Sequence, residues 1–259
     1  MTQLAFEDTG GPGPLVVLVP GAGDVRSEYR RLAPILQSRG LRVVTADLPG
    51  HGDSPVQGSY GVAEAAAALL ELIEELDAGP AILVGCSFAP AAAVWATTDR
   101  PELVRAVGLL SPHMDEAGGL AATLQRRSMQ VMFRGPIAGP IWARLYRSWY
   151  KAYVPEDLQA EIAKMSAMLA DPERRRAVRD TLTASRDGLS ERMDRFDRPS
   201  FVAFGTADDH FADPMGEAKR LAQRLGSSVV LVEGAGHYPH VEQPEPVAEA
   251  VADLVAATS

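Results

Sequence analysis

Ser87, Asp208 and His237 are the residues of this chain whose types and spacing best fit them for chemistry. Ser87 follows the apolar run Ile82-Leu83-Val84 within Gly85-Cys86-Ser87-Phe88-Ala89, and Ala91-Ala92-Ala93-Val94-Trp95-Ala96 favours a helix almost at once. A strand turning this sharply into a helix crowds its flanks, so small residues are needed there, and Gly85 and Ala89 supply them. The turn lifts the serine hydroxyl out of the sheet beside a helix N-terminus, where the Phe88 N–H faces developing negative charge. An acid and a histidine follow further along, in Gly205-Thr206-Ala207-Asp208 and Gly234-Ala235-Gly236-His237-Tyr238-Pro239-His240. A serine hydroxyl is a poor nucleophile at neutral pH until a base takes its proton, and histidine suits that task. Each residue has a rival. Ser87 could simply cap the following helix, Asp209 or Asp115 could supply the acid, and His240 could stand in for His237. His51 and His113 read as pocket lining or loop hydrogen bonding. Asp208, Asp209 and His210 also suggest metal ligation, but adjacent residues rarely point at one ion and no further ligand set is apparent, so no metal is expected.

The elements that must position these residues alternate in type. Leu4 to Glu7 reads as a short strand, and Leu15-Val16-Val17-Leu18-Val19 as one buried on both faces, ending in Pro20-Gly21-Ala22-Gly23-Asp24. A helix over Ser27 to Gln37, a strand over Arg42 to Asp47 and a helix from Val62 to Leu76 follow. After the Ser87 strand and its helix, Val104 to Leu110 is a further strand. From about Gly118 to Arg198 no strand signal appears, only helices broken at Gly135-Pro136, Gly139-Pro140, Pro155 and Asp171-Pro172. Strand character resumes at Phe201 to Gly205 and again at Ser228 to Val232, and a helix from Val247 to Ala257 closes the chain. This rhythm predicts an α/β fold with a doubly wound, mostly parallel sheet. Residues 1–117 and 199–259 form the core, and residues 118–198 form a helical cap inserted after the sixth-strand region, over the sheet edge where such folds place ligands.

Bulk properties narrow the function. The chain has 259 residues, 46% hydrophobic and 23% charged, as in a soluble globular protein. A net charge of −9 argues against nucleic acid as a partner. A lone cysteine, Cys86, excludes an internal disulfide and reads as a buried apolar residue. With no basic-then-apolar leader and no run long enough for a bilayer, the expectation is a cytoplasmic protein without a membrane partner. Oligomeric state is left open.

The chain resembles the α/β-hydrolases over nearly its whole length. The resemblance lies in the serine turn Gly85 to Ala89, with alanine for the usual second glycine, in the Gly-x-x-Asp loop Gly205 to Asp208, and in Gly-His-x-Pro-x-x-Glu-x-Pro at Gly236 to Pro244. The Asp47 to Ser54 turn adds to it. The resemblance implies a triad of Ser87, Asp208 and His237 in that chain order, and an oxyanion hole made by the N–H groups of Phe88 and Ala22. In that family the oxyanion loop often begins His-Gly, whereas here it is Pro20-Gly21. A second expected departure is that the N-terminus leaves out the first edge strand of the larger relatives.

The implied activity is hydrolysis of esters, thioesters, lactones or amides through an acyl-enzyme, with no cofactor. An aspartate at position 87 would have implied epoxide or haloalkane chemistry instead. The fold also serves carbon–carbon bond hydrolases, cofactor-free haloperoxidases, acyltransferases and non-catalytic small-molecule receptors. An acyl pocket is expected from Gly21, His113, Met129, Met132, Trp142, Tyr146 and Tyr238, mainly apolar so as to exclude water. Residues 118–198 carry 15 Lys and Arg against 10 Asp and Glu, the reverse of the rest of the chain. An inward-facing Arg126, Arg144 or Arg147 would therefore tolerate an anionic substrate group.

Overall fold

A computed structural model describes residues 4–56, 58–114, 119–133, 135 and 137–258, without the side chains of 119–123, 125 and 126. Its seven-stranded sheet is built from β1 (Phe6–Asp8), β2 (Leu15–Val19), β3 (Arg42–Ala46), β4 (Ala81–Cys86), β5 (Val104–Leu110), β6 (Ser200–Gly205) and β7 (Ser228–Val232). The spatial order is β1-β3-β2-β4-β5-β6-β7. Among the described residues, only the pairing of β1 with β3 is antiparallel. The five residues of β2 are all buried, as their unbroken β-branched and leucine character requires of a strand covered on both faces.

Helices α1 (Leu32–Ser38), α2 (Val62–Leu76), α3 (Ala89–Asp99), α9 (Pro214–Leu225), α10 (Pro239–Glu242) and α11 (Pro244–Thr258) belong to the α/β alternation. Between β5 and β6 come α4 (Gly119–Met132), α5 (Ala138–Ser148), α6 (Leu158–Ala170), α7 (Pro172–Leu182) and α8 (Leu189–Arg195). Alternate residues of the strands separate two apolar layers. Val17, Leu83, Leu109 and Val202 pack with Leu69, Val94 and Leu221 on the side of α2, α3 and α9. Val16, Leu18, Val84 and Ala203 pack with Leu36 and Val251 on the side of α1 and α11, and the same layer takes in Trp142, Tyr146 and Met165 from the inserted helices. Among the described residues, no helix is long and apolar enough to cross a membrane.

Two local readings are corrected. Ser27 to Gln37 is not one helix: a 3₁₀ turn over Arg26–Tyr29 precedes α1, which starts at Leu32. Gly139-Pro140 does not break a helix but lies in the first turn of α5, where proline's missing N–H has no intrahelical partner to lose. The break at Asp171-Pro172 holds. Pro172 opens α7, and the Asp171 carboxylate accepts the N–H groups of Glu173 and Arg174 at 2.7 and 3.2 Å.

Because β2 to β7 run parallel, the loops that follow them open at one sheet edge, bringing Gly21, Ser87, His113, Asp208 and His237 to that edge.

Candidate active site

Ser87 occupies the one-step turn between β4 and the helix beginning at Ala89. Its φ is +57°, a region that costs an L-residue roughly 1–2 kcal/mol. Neighbouring backbone holds it there. The Ser87 N–H donates to the Leu110 carbonyl and the Ser87 carbonyl accepts the His113 N–H, both at 2.9 Å. A Cβ on Gly85 would sit 2.8 Å from the carbonyl carbon of Ala89, so the small residue is obligatory. On the other side, a Cβ on Gly21 would come within 3.1 Å of Ser87 Cβ and 3.7 Å of its Oγ. The loop after β2 thus lies against the serine. Phe88 caps α3, the position from which the helix's unsatisfied N–H groups point outward.

Asp208 is buried and its Oδ2 lies 2.9 Å from His237 Nδ1, while its Oδ1 accepts the His210 N–H at 3.1 Å. Burial works to raise this carboxyl, but the His237 imidazole, by charge and hydrogen bond, and then His210 hold it at about 2. Asp209, the rival acid, is exposed and pairs with Lys151 at 2.7 Å. The His237 N–H donates to the Trp149 carbonyl at 3.1 Å. Two more imidazoles crowd the same spot. The centroid of the His210 ring is 3.9 Å and that of His113 5.7 Å from that of His237. Burial first, and then repulsion from His237, lower both His113 and His210 to about 3. One ring nitrogen from each of the three histidines lies within 4.8 Å of the others.

Behind Gly21 is a buried polar group. Glu28 Oε2 accepts the Gly21 N–H at 3.1 Å and Glu28 Oε1 lies 2.7 Å from His240 Nε2. The latter approach is a close contact without hydrogen-bond geometry. Burial pushes the Glu28 carboxyl up to about 7 and His240 down to about 3. Asp24 accepts the Val25 N–H at 2.9 Å, and burial with the nearby Glu28 charge raises it well above the carboxylate range. Two buried acids, both raised above the ordinary carboxylate range, therefore back the loop carrying Gly21 and Ala22.

Glu242 joins the inserted helices to the histidine loop. Its Oε2 accepts the N–H groups of Lys151, Ala152 and Tyr153 at 2.8, 2.6 and 3.2 Å, and its Oε1 accepts that of Gly236 at 2.7 Å. Trp142 Nε1 adds a second tie, donating to the Gly23 carbonyl at 3.1 Å.

The expected pocket residues separate into groups. Gly21 and His113 lie against Ser87, whereas Trp142, Tyr146 and Tyr238 are buried in an aromatic cluster with Trp149 and Tyr150. Met129 and Met132 are half-buried against that layer. Arg144 and Arg147 are exposed, so the expectation that they face inward is corrected: they lie on the outer face of an amphipathic helix. An arginine that does reach the site is Arg186, whose guanidinium lies 4.8 Å from the Phe88 ring centroid. Asp115 and the Arg126 side chain lie outside the described residues. His240 is packed against Tyr29, and buried His51 pairs its Nδ1 with the Pro49 carbonyl at 3.0 Å. Sequence reasoning missed Glu28 and Asp24, and saw no ligand partners for His210. Only the structure brings loops so distant in sequence together.

Comparison with known proteins agrees with this geometry. The family model described as the alpha/beta hydrolase family matches residues 16–250. The pimeloyl-[acyl-carrier protein] methyl ester esterase of Neisseria meningitidis serogroup B is 27% identical over 255 residues, covering 93% of this chain and 92% of that protein. Among solved structures, a thermophilic esterase from Thermogutta terrifontis superposes with a TM-score of 0.76 at 25% identity, covering 98% of this chain and 93% of its own. A bromoperoxidase from Bacillus anthracis reaches 0.85 at 17% identity, covering 98% and 95%. With the parallel sheet and the strained serine turn, the match across residues 16–250 means that this chain belongs to the alpha/beta hydrolase family.

Proposed function

We propose that this chain is a serine hydrolase that cleaves carboxylic esters or related acyl compounds through an acyl-enzyme on Ser87. The observation that carries the reading is the hydrogen-bonded Asp208–His237 pair at the sheet edge where Ser87 is held at φ +57°. In this mechanism His237 accepts the Ser87 proton as Oγ attacks the acyl carbon, and Asp208 orients the imidazole and stabilises its charged form. The N–H groups of Phe88 and Ala22 receive the oxyanion, each such donor lowering the barrier by about 3–4 kcal/mol. Collapse expels the alcohol, which takes the proton from His237, and water repeats the cycle to free the acid. The inserted helices serve as a lid over an apolar acyl site.

Ester chemistry is supported by the named activities of the Neisseria and Thermogutta proteins, at 27% and 25% identity. The test is a panel of p-nitrophenyl esters of increasing chain length, with matched neutral and carboxylate-bearing acyl groups at low and high salt. Turnover of apolar esters that Ser87→Ala abolishes is the expected result. Silence across all chain lengths would favour a non-catalytic receptor.

A further inference from the structure

Acyl transfer uses one of the three imidazoles that meet at the sheet edge. His113, His210 and His237 come from the loops after β5, β6 and β7, yet one ring nitrogen of each lies within 4.8 Å of the other two. We propose that these three histidines bind a divalent transition metal ion, Zn²⁺ above all, and that its binding switches the hydrolase off.

Four observations support the site. First, the donors are imidazole nitrogens, which suit Zn²⁺, Cu²⁺ or Ni²⁺ and not Mg²⁺ or Ca²⁺. Second, Asp208 engages Nδ1 of His237 at 2.9 Å, leaving Nε2 for the ion. A carboxylate on the far nitrogen is how metal-bound imidazoles are commonly oriented. Third, His210 Nδ1 is buried with no hydrogen-bond partner, although Asp208 Oδ1 is 3.6 Å away. Fourth, the His210 side chain is 22% exposed, so a hydrated ion has a route in. Tetrahedral Zn²⁺ with bonds of about 2.0–2.1 Å sets nitrogens roughly 3.4 Å apart, within reach of small ring rotations, with water as the fourth ligand. A second donor trio, Glu28, Cys86 and His240, is fully buried, and the 2.7 Å approach of Glu28 to His240 leaves no room between them for an ion.

Inhibition follows from electron-pair accounting. The Nε2 lone pair of His237 that would accept the Ser87 proton is donated to the metal instead, so the hydroxyl keeps its proton. This part of the inference rests on the proposed role of His237; metal binding itself does not.

The test titrates ZnCl₂ into metal-free wild-type protein by calorimetry, with MgCl₂ as control, and follows p-nitrophenyl ester turnover alongside. One Zn²⁺ per chain and no Mg²⁺ should bind, turnover should fall with occupancy, and EDTA should restore it. Losing even an outer partner of a metal-bound imidazole costs about 10–100-fold in affinity, so His113→Gln and His210→Gln should each weaken Zn²⁺ binding at least ~10-fold. Inhibition, scaled to each variant's own metal-free rate, should shift by the same factor. If either variant misfolds, mapping diethyl pyrocarbonate modification on the wild type replaces it, and Zn²⁺ should protect all three histidines. Zn²⁺ binding without ester turnover would keep the metal site and defeat the hydrolase reading. Turnover without Zn²⁺ binding, binding without inhibition, or binding undiminished in both variants would overturn the proposal.

Discussion

At the scale of residues, the site separates groups that touch the reacting atoms from groups that hold them. Asp208 is buried against His237, whereas its neighbour Asp209 faces solvent and Lys151. Replacing an orienting acid by its amide in a triad costs about 10⁴-fold in kcat. Asp208→Asn should therefore lower kcat by about that factor, while Asp209→Asn stays within about 3-fold of wild type, because its surface ion pair contributes little. Steady-state rates on a p-nitrophenyl ester check both, and equal losses would mean that the acid has been misassigned. Glu28 accepts the Gly21 N–H beside Ala22, the proposed oxyanion donor. Glu28→Ala leaves that N–H without its acceptor and frees the loop. The expected loss in kcat is about 10²-fold, the lower end for an oxyanion donor, with KM little changed. Glu28→Gln keeps an acceptor oxygen and should recover most of the rate. A loss in KM alone would make Glu28 a substrate-site residue instead.

At the scale of elements, Glu242 gathers four backbone N–H groups from two segments that are far apart in the chain. Hydrogen bonds to a charged acceptor contribute about 1.5–3 kcal/mol each and do not add simply. Glu242→Ala should cost at least about 3 kcal/mol in urea unfolding and speed amide exchange at Gly236 and Lys151 to Tyr153 together. A cost under ~0.5 kcal/mol would show that the clamp is not needed to join the inserted helices to the His237 loop. Most of the scaffold was legible in the sequence because buried parallel strands are continuous apolar runs: β2 and β5 have the bounds that those runs give, and α2 has the bounds that helical periodicity gives. The triad candidates were legible for the same reason, each lying just beyond such a run. Glu28 was not. It reads as a polar position on a surface helix, but the 3₁₀ turn over Arg26–Tyr29 changes its direction and carries it inside. The grouping of His113 and His210 with His237 was hidden too, since it depends on strand order and not on spacing.

At the scale of the whole molecule, the buried titratable groups set how folding responds to acid. Burial holds His51 at about 4 and His113, His210 and His240 at about 3, below the ordinary 6.5. Between pH 6.5 and 4 the unfolded chain therefore takes up protons at these sites that the folded chain does not, and stability falls as pH falls. Asp24 and Glu28 act in the opposite sense, because burial raises them and the folded chain keeps protons there that the unfolded chain has released. Four groups against two leave a net uptake of about two protons on unfolding near pH 5. The urea midpoint should fall from about pH 6.5 to pH 5, and a flat or rising midpoint over that range would show that the histidines are not held neutral. The central claim is that Ser87 forms the covalent acyl-enzyme, and adduct mapping tests it most directly. Wild type and Ser87→Ala are treated with a fluorophosphonate and with a slowly deacylating p-nitrophenyl ester, and the proteolysed chain is analysed by mass. The expected result is one adduct per chain from each reagent, on Ser87, absent from the variant along with turnover. Ester turnover that persists in Ser87→Ala, or an adduct on any other residue, would contradict it.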